Sequence, residues 1–351
     1  MSLIKQLIDK LYNENSLSKE ELLILLNDIT EEEEKYLAEK SLEIKSKYYG
    51  DTVFMRGLIE FTNYCQKNCM YCGIRAANIN ADRYRLTLDE IMECCIEGDR
   101  LGYKTFVLQG GEDPYFDDDK IIEIIKTIKS RFKDTAITLS IGEKSYDSYK
   151  KFYEAGADRY LLRHETASKE LYEKLHPNMS FENRMRCLKD LKEIGYQVGA
   201  GFMVGLPGQS NEDFVEDLIF LKELKPHMIG IGPFISQKDT PLNNEENGTL
   251  EKTLVLLSII RLMLPNVLLP STTALGSLDT KGREKALKVG ANVVMPNLSP
   301  TSVREKYALY DGKICTGDEA AHCRNCIEGR IKGAGFSVDM SRGDNINWRR
   351  K

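Results

Sequence analysis

An excess of positive charge is missing: 49 Lys and Arg stand against 54 Asp and Glu, a net charge of -5, with the signs interspersed. Binding to a phosphate backbone needs a basic stripe, so nucleic acid is excluded as the principal partner. A long apolar run is also missing. The longest, Leu254 to Leu264, is interrupted by Ser258 and Arg261 and falls short of the ~18 residues of a membrane-crossing helix. The N-terminal segment has neither the apolar centre of a secretory signal nor the acid-poor character of a transit peptide, so the expected compartment is the cytoplasm. Prolines number only ten, and apolar and charged residues make up 42% and 29% of the chain, which excludes disorder as its main state. A nucleophile elbow is absent too; Gly205-Leu206-Pro207-Gly208-Gln209 reads as a turn, so a Ser-His-Asp hydrolase is not supported.

What the 351 residues do contain is a change of rhythm. Over residues 1–48 the spacing predicts helix throughout: Leu3, Ile4, Leu7, Ile8 and Leu11 recur at helical intervals, and Ser18 with Glu21 makes a capping box before Leu22 and Leu23. From there eight β-rich runs alternate with amphipathic helices, at 53–60, 105–110, 136–141, 158–165, 197–204, 228–235, 266–273 and 292–297. Eight strand–helix units of this size predict an α/β fold, a complete (β/α)8 TIM-type barrel over 49–300, with an open doubly wound sheet as the alternative. Residues 301–351 read as a C-terminal cap with little core of its own.

Six of the nine cysteines fall into two triplets, which argues for metal ligation in a reducing compartment rather than for disulfides. Cys65, Cys69 and Cys72 follow the first strand in a C-x3-C-x2-C spacing, at the strand end where active sites of such barrels gather. Three thiolates on a four-iron cube leave one iron open to another ligand. The bland alternative is a structural zinc, which wants a fourth ligand that no nearby histidine supplies. Cys315, Cys323 and Cys326 form the second triplet, as an iron–sulfur site or, with His322, a zinc site. Cys94, Cys95 and Cys187 sit in amphipathic helices and are expected as small core residues. His176 and His227 have no spacing for metal or nucleophilic chemistry and are expected to be structural.

The first triplet, with Tyr71 before its last cysteine, resembles the radical S-adenosylmethionine (SAM) superfamily. That resemblance implies a [4Fe-4S] cluster whose open iron is chelated by SAM, and reductive cleavage of SAM to a 5'-deoxyadenosyl radical. Further segments, Arg56-Gly57-Leu58-Ile59-Glu60-Phe61, Leu108-Gln109-Gly110-Gly111-Glu112, Tyr160-Leu161-Leu162-Arg163-His164-Glu165, Gly199 to Gln209 and Ile229 to Phe234, are similar to the HydE group of [FeFe]-hydrogenase maturases over about residues 50–326. Biotin synthases and methylornithine synthases share the architecture. The HydE resemblance implies an organometallic iron substrate bearing cysteine, carbon monoxide and cyanide, other hydrogenase maturases and an electron donor as partners, and an auxiliary [2Fe-2S] or [4Fe-4S] cluster at the second triplet. The alternatives are a mutase of the methylornithine synthase type and a non-catalytic iron–sulfur scaffold.

The two-residue period of a strand puts Arg56, Leu58 and Glu60 on one face, and Arg159, Leu161, Arg163 and Glu165 on another. Charges repeated on one strand face imply either a solvated face or a polar interior that holds an anionic or metal-bound ligand; His164, opposite in phase, is expected to face the helices. By resemblance, Tyr71, Gly110, Gly111, Glu112, Ser140, Glu165 and Arg184 would contact SAM, Glu165 and Arg184 matching its zwitterion. Arg56, Gln109, Arg163, Thr272, Thr273, Met295, Tyr307 and Tyr310 would line the substrate cavity.

Overall fold

The helical preface resolves into three helices, Leu3–Glu14, Lys19–Asp28 and Glu31–Tyr49, in the computed structural model, which describes residues 2–350. The capping box forms: Ser18 Oγ accepts from the Glu21 amide, and the Glu21 carboxylate accepts from the Ser18 amide. Ile4, Leu7, Ile8 and Leu11 are buried on one face, and the preface packs against helices Asn211–Leu224 and Leu250–Met263. That explains the long apolar run. Leu250–Met263 is covered on both sides, and its fully buried Arg261 is satisfied by the carbonyls of Pro265, Val267 and Gly290.

Six strands, Gly57–Thr62, Thr105–Gly110, Ala136–Ser140, Arg159–Leu161, Gln197–Ala200 and Met228–Ile229, form a parallel sheet in that order. A strand just before them, Thr52–Met55, pairs in parallel with Val293–Val294 on one side and Ser337–Asp339 on the other. Met203–Val204 pairs with Gly232–Pro233. Isolated parallel bridges join Met228 to Leu268, Pro270 to Val293 and Leu58 to Asn297. The expected run at 266–273 is therefore strand-like only at single bridges, as Pro270 has no amide to donate and Thr272 caps the helix Thr273–Leu278. The run at 158–165 is regular only over Arg159–Leu161 and meets the next run again at a single parallel bridge, Glu165 to Phe202, where Glu165 takes a left-handed φ of 68°.

Parallel register sorts the inner side chains into rows. Leu58, Val107, Thr138, Arg159 and Gln197 stand side by side, and two residues further up come Glu60, Gln109 and Ser140. Helix ends agree with the glycine signals: Gly156 and Gly195 terminate helices Tyr146–Ala155 and Phe181–Ile194 at positive φ. Among the described residues no helix is long and apolar enough to cross a membrane.

The C-terminal region departs from expectation. Instead of a loop with little core, it forms helix Ala320–Gly333, the strand Ser337–Asp339, and a tail that seals the amino-terminal end of the sheet. Arg56 donates to the Gly343 carbonyl, Arg159 pairs with Asp344 at 2.6 Å, and Gln197 binds Asp344 and the Asn345 amide. Trp348 is buried, its indole N–H donating to the Gly195 carbonyl. The inward-facing Arg56 and Arg159 would be uncompensated charges without these contacts, which is the physical reason the tail is ordered.

Candidate active site

The first triplet leaves the carboxyl end of strand Gly57–Thr62 as a loop tied down mainly through its backbone. Arg83 donates to the carbonyls of Asn63, Ile74, Arg75 and Asn78, Met70 N–H to Leu175, Gln66 N–H to Glu112 and Gly73 N–H to Leu309. Arg83 was missed by the sequence reading; its only signal is an arginine shortly after a cysteine loop. Two amides, of Lys67 and Glu112, lie 3.4 Å from Cys65 Sγ, the kind of N–H···S contact that tunes an iron–sulfur cluster. Burial pushes the Cys72 thiol up to about 12 and Cys69 well above the thiol range, so ligation must displace their protons.

Gly110 and Gly111 are needed for packing against this loop. A Cβ on Gly111 would lie 2.2 Å from the Tyr64 carbonyl oxygen and 2.7 Å from Cys65 Cβ, and one on Gly110 would meet Thr62 at 2.8 Å. Glu112 is buried and turned sideways, accepting from the Glu143 amide at 3.0 Å and facing Lys67 Nζ at 3.6 Å. Tyr71 donates its hydroxyl to His176 Nε2 at 2.8 Å, since His176 Nδ1 is committed to the Tyr172 carbonyl. His176 thus braces the residue between two of the cysteines, more than its sequence context suggested.

Beside the loop lies a buried cluster of charge. Arg163 donates to Glu165 at 2.7 Å; Arg184 donates through Nε to Glu143 at 2.7 Å and through Nη1 to the Arg163 carbonyl at 2.6 Å. Against burial, which pushes it up, Arg163 and Arg184 hold the Glu165 carboxyl below its ordinary range. Glu143 was not foreseen. It occupies much of the Arg184 fork expected to meet a ligand carboxylate, because it follows the third strand directly and reaches helix Phe181–Ile194. Ser140 is half-buried at that strand's end, beside Gln109.

The residues expected around a substrate separate into two places. Gln109 reaches the Tyr307 hydroxyl at 3.4 Å, and a cavity is lined by Glu60, Thr273, Arg283, Met295, Lys313, Cys315 and Cys323. Thr272 has a buried hydroxyl with no partner, as does Arg163 at Nε. Tyr310 is part-buried nearby in sequence, and burial pushes its phenol up to about 12. Lys313, another residue missed, pairs with buried Glu60 at 2.7 Å, and Asn297 donates to the same carboxylate. Arg56 does not join this set: it is buried at the other end and consumed by the tail.

Two residues of the second triplet, Cys315 and Cys323, line the same cavity, while Cys326 is exposed. Cys323 and Cys326 sit three residues apart on helix Ala320–Gly333, Cys315 takes a left-handed φ of 64°, and Arg304 and Arg283 approach the sulfurs of Cys323 and Cys315 at 3.6 and 3.7 Å. Burial pushes the Cys323 thiol up, against the opposing pull of Arg304. His322 points outward, 71% exposed and 3.8 Å from Asp318, so it does not complete a site with these sulfurs. Cys94, Cys95 and Cys187 are buried, as expected of core residues.

A thiol loop above the carboxyl edge of a parallel sheet, flanked by paired arginine and glutamate, is the arrangement of an α/β enzyme that handles a charged cofactor. The sequence profile of the radical SAM superfamily matches residues 59–221. The chain is 52% identical over 285 residues, 81% of each chain, to the [FeFe] hydrogenase maturase subunit HydE of Thermotoga maritima, and 32% identical over 86% of each chain to 3-methylornithine synthase of Methanosarcina acetivorans. A crystal structure of methylornithine synthase superposes with a TM-score of 0.85 at 29% identity, covering 95% of this chain and 97% of that one. One of HydG, a maturase of the [FeFe]-hydrogenase, superposes at 0.80 with 23% identity, covering 96% of this chain and 75% of that one, a likeness of fold. The chain belongs to the radical SAM superfamily, and it is a HydE-like radical SAM enzyme. The superfamily implies a [4Fe-4S] cluster and SAM.

Proposed function

We propose that this enzyme serves [FeFe]-hydrogenase maturation, acting on an organometallic iron fragment that carries cysteine, carbon monoxide and cyanide on the way to the two-iron centre. The observation that carries the reading is the 52% identity to the Thermotoga maturase over 81% of both chains. Cys65, Cys69 and Cys72 would hold the four-iron cluster. Tyr71, Gly110, Gly111, Glu112, Ser140, Glu165 and Arg184 would border SAM, Glu165 toward its ammonium. When bound, the cluster would supply the one-electron reductive cleavage of SAM to a 5'-deoxyadenosyl radical and methionine, the electron coming from an external donor. Arg163 and Thr272, each with a buried polar atom lacking a partner, would orient an anionic substrate with Gln109, Thr273, Met295, Tyr307 and Tyr310. Lys313, held by Glu60, adds a cation to that cavity.

The same proposal takes the sheet as a closed (β/α)8 barrel over 49–300, preceded by the 1–48 extension and followed by the 301–351 segment. The parallel bridges at Leu268, Pro270 and Asn297 support it, since they link the sixth strand through the last two runs back to the first. Cys315, Cys323 and Cys326 would carry an auxiliary [2Fe-2S] or [4Fe-4S] cluster. Other maturases and an electron donor would be the partners, in the cytoplasm.

A second reading, a mutase acting on a lysine-like skeleton, is favoured by the superposition on methylornithine synthase. The experiment that separates them reconstitutes the protein anaerobically and supplies SAM, a reductant and either a synthetic iron complex bearing cysteine, CO and cyanide, or L-lysine. Consumption of the iron complex together with 5'-deoxyadenosine formation is expected. Conversion of lysine to methylornithine, with the iron complex untouched, would overturn the proposal.

A further inference from the structure

Glu165 is the one residue of the candidate SAM site whose backbone is strained, with φ at 68° where an L side chain is disfavoured. Something must hold it there. Its amide donates to the Gly201 carbonyl at 3.0 Å and its carbonyl accepts from Met203 at 3.1 Å, a single parallel bridge to Phe202 on the neighbouring run that fixes the backbone on one side only. The residues on either side are fixed from outside. His164 is fully buried and points away from the cavity, where Nε2 lies 3.1 Å from Asp217 Oδ1 on helix Asn211–Leu224. The same Oδ1 accepts the Ala167 amide at 2.6 Å. The other ring nitrogen, Nδ1, accepts the Gly201 amide at 3.3 Å, so the ring proton sits on Nε2 and is donated to Asp217. Two tie points, one residue before Glu165 and two after it, therefore meet at a single carboxylate oxygen.

This arrangement is costly to maintain for packing alone. Both partners are fully buried, and Asp217 Oδ2 has no hydrogen-bond partner at all. A buried carboxyl with an orphan oxygen is destabilising relative to an apolar residue of the same size. Phe202 and Phe220 pack against the ring, with Phe214 behind Phe202, a setting that would accept a hydrophobic side chain. Burial keeps the imidazole neutral, at about 3, and pushes the Asp217 carboxyl well above its usual range.

We propose that Asp217 and His164 are positioning residues: a buried clamp on the far side of the strand that holds Glu165 in its left-handed conformation and so aims its carboxylate at the cofactor site. The inference rests on the reading that Glu165 engages SAM. Neither clamp residue touches SAM or the cysteines; they act through the backbone of 164–167.

The test uses the full-length holoprotein, reconstituted anaerobically, with SAM affinity read by calorimetry and SAM-induced change in the reduced cluster's electron paramagnetic resonance signal as a second readout. Asp217→Leu, which keeps the branch at Cγ and removes the acceptor, should weaken SAM binding by roughly tenfold to a hundredfold, the usual effect of losing an orienting partner behind a ligand. His164→Phe, which keeps the ring among its aromatic neighbours, should do the same, and it carries the test if Asp217→Leu does not load its cluster. Asp217→Asn retains the Oδ1 acceptor and should bind SAM as the wild type does. Glu165→Gln separates this inference from the reading beneath it. If Glu165→Gln weakens SAM while Asp217→Leu or His164→Phe, with full iron content, binds SAM normally and gives the wild-type signal change, the clamp is overturned. Wild-type affinity in Glu165→Gln overturns the SAM role of Glu165, and the clamp's purpose with it.

Discussion

The two ends of the parallel sheet are built from the same kind of residue and do opposite things. Each has inward-facing arginines that are wholly or largely buried. At the amino end, Arg56 and Arg159 donate through their Nη atoms to Gly343, Asp344 and the tail around them, and that tail covers them, so their unpartnered Nε atoms face no open cavity. At the carboxyl end, Arg163 and Arg184 are met by Glu165 and Glu143, yet Arg163 Nε and the Thr272 hydroxyl stay unpartnered, next to a thiol loop. Charge on a strand face therefore marks a polar interior; whether that interior serves binding or closure depends on which distant segment arrives to neutralise it.

The sharpest way to break the comparison is at the carboxyl end. Cys69→Ser should abolish both the [4Fe-4S] cluster and 5'-deoxyadenosine formation, while leaving the melting temperature of the apo-protein close to wild type. Iron analysis, product chromatography and thermal denaturation check this, and undiminished deoxyadenosine would remove the cluster from this loop.

At the amino end the expected effect is on stability instead. Asp344 is 26% exposed on its side chain, so the ~3–5 kcal/mol lost on breaking a fully buried pair is reduced to roughly 2–3 kcal/mol for Asp344→Asn. Against burial, which pushes it up, Arg159 and Arg342 hold this carboxyl down at about 2. A depressed carboxyl contributes stability that is fully present above its unfolded value of about 3.9 and is lost as pH falls toward 2. Urea titrations should therefore show the wild type losing its advantage over Asp344→Asn between those pH values, with SAM cleavage per folded molecule the same at neutral pH.

Arg184→Lys should have a smaller effect. Lysine cannot reach Glu143 and the Arg163 carbonyl with one planar fork, so SAM should bind about tenfold more weakly, a loss of ~1.4 kcal/mol. Calorimetry on the reconstituted variant measures it, and unchanged affinity would place Arg184 in the scaffold alone. The smallest change is expected from replacing Cys315, Cys323 and Cys326 together by serine: extra iron and sulfide should vanish while deoxyadenosine formation stays within a small factor of wild type. Loss of deoxyadenosine with the first cluster intact would make the second triplet part of the catalytic machinery.

The division between the two ends also explains what could be read beforehand. The alternation of strands and helices, the capping box at Ser18 and the outward phase of His164 follow from local periodicity, and the structure has them. The thiol loop is a short-range pattern, legible because three sulfurs at fixed spacing have few other uses. Glu143, Lys313 and Arg83 were not legible, because each is an ordinary charged residue whose role is set by a partner on another element. Arg56 was misplaced for the same reason: strand phase puts it inside, but only the path of residues 337–350 decides that it faces a carbonyl of its own chain. Strand seven was overextended because Pro270 and the cap at Thr272 halt the pairing that its apolar composition invites.

The pairing of Ser337–Asp339 with Thr52–Phe54 has a consequence for how the molecule is made. It joins two segments with nearly the whole described chain between them, so its loop-closure entropy is among the largest in the fold and its formation is intrinsically slow. The thiol loop shares this dependence in part, since Gly73 N–H donates to the Leu309 carbonyl and Met70 N–H to that of Leu175. Both ends of the sheet therefore reach their final form only when the C-terminal segment docks, the amino end in most of its contacts and the carboxyl end in its last anchors.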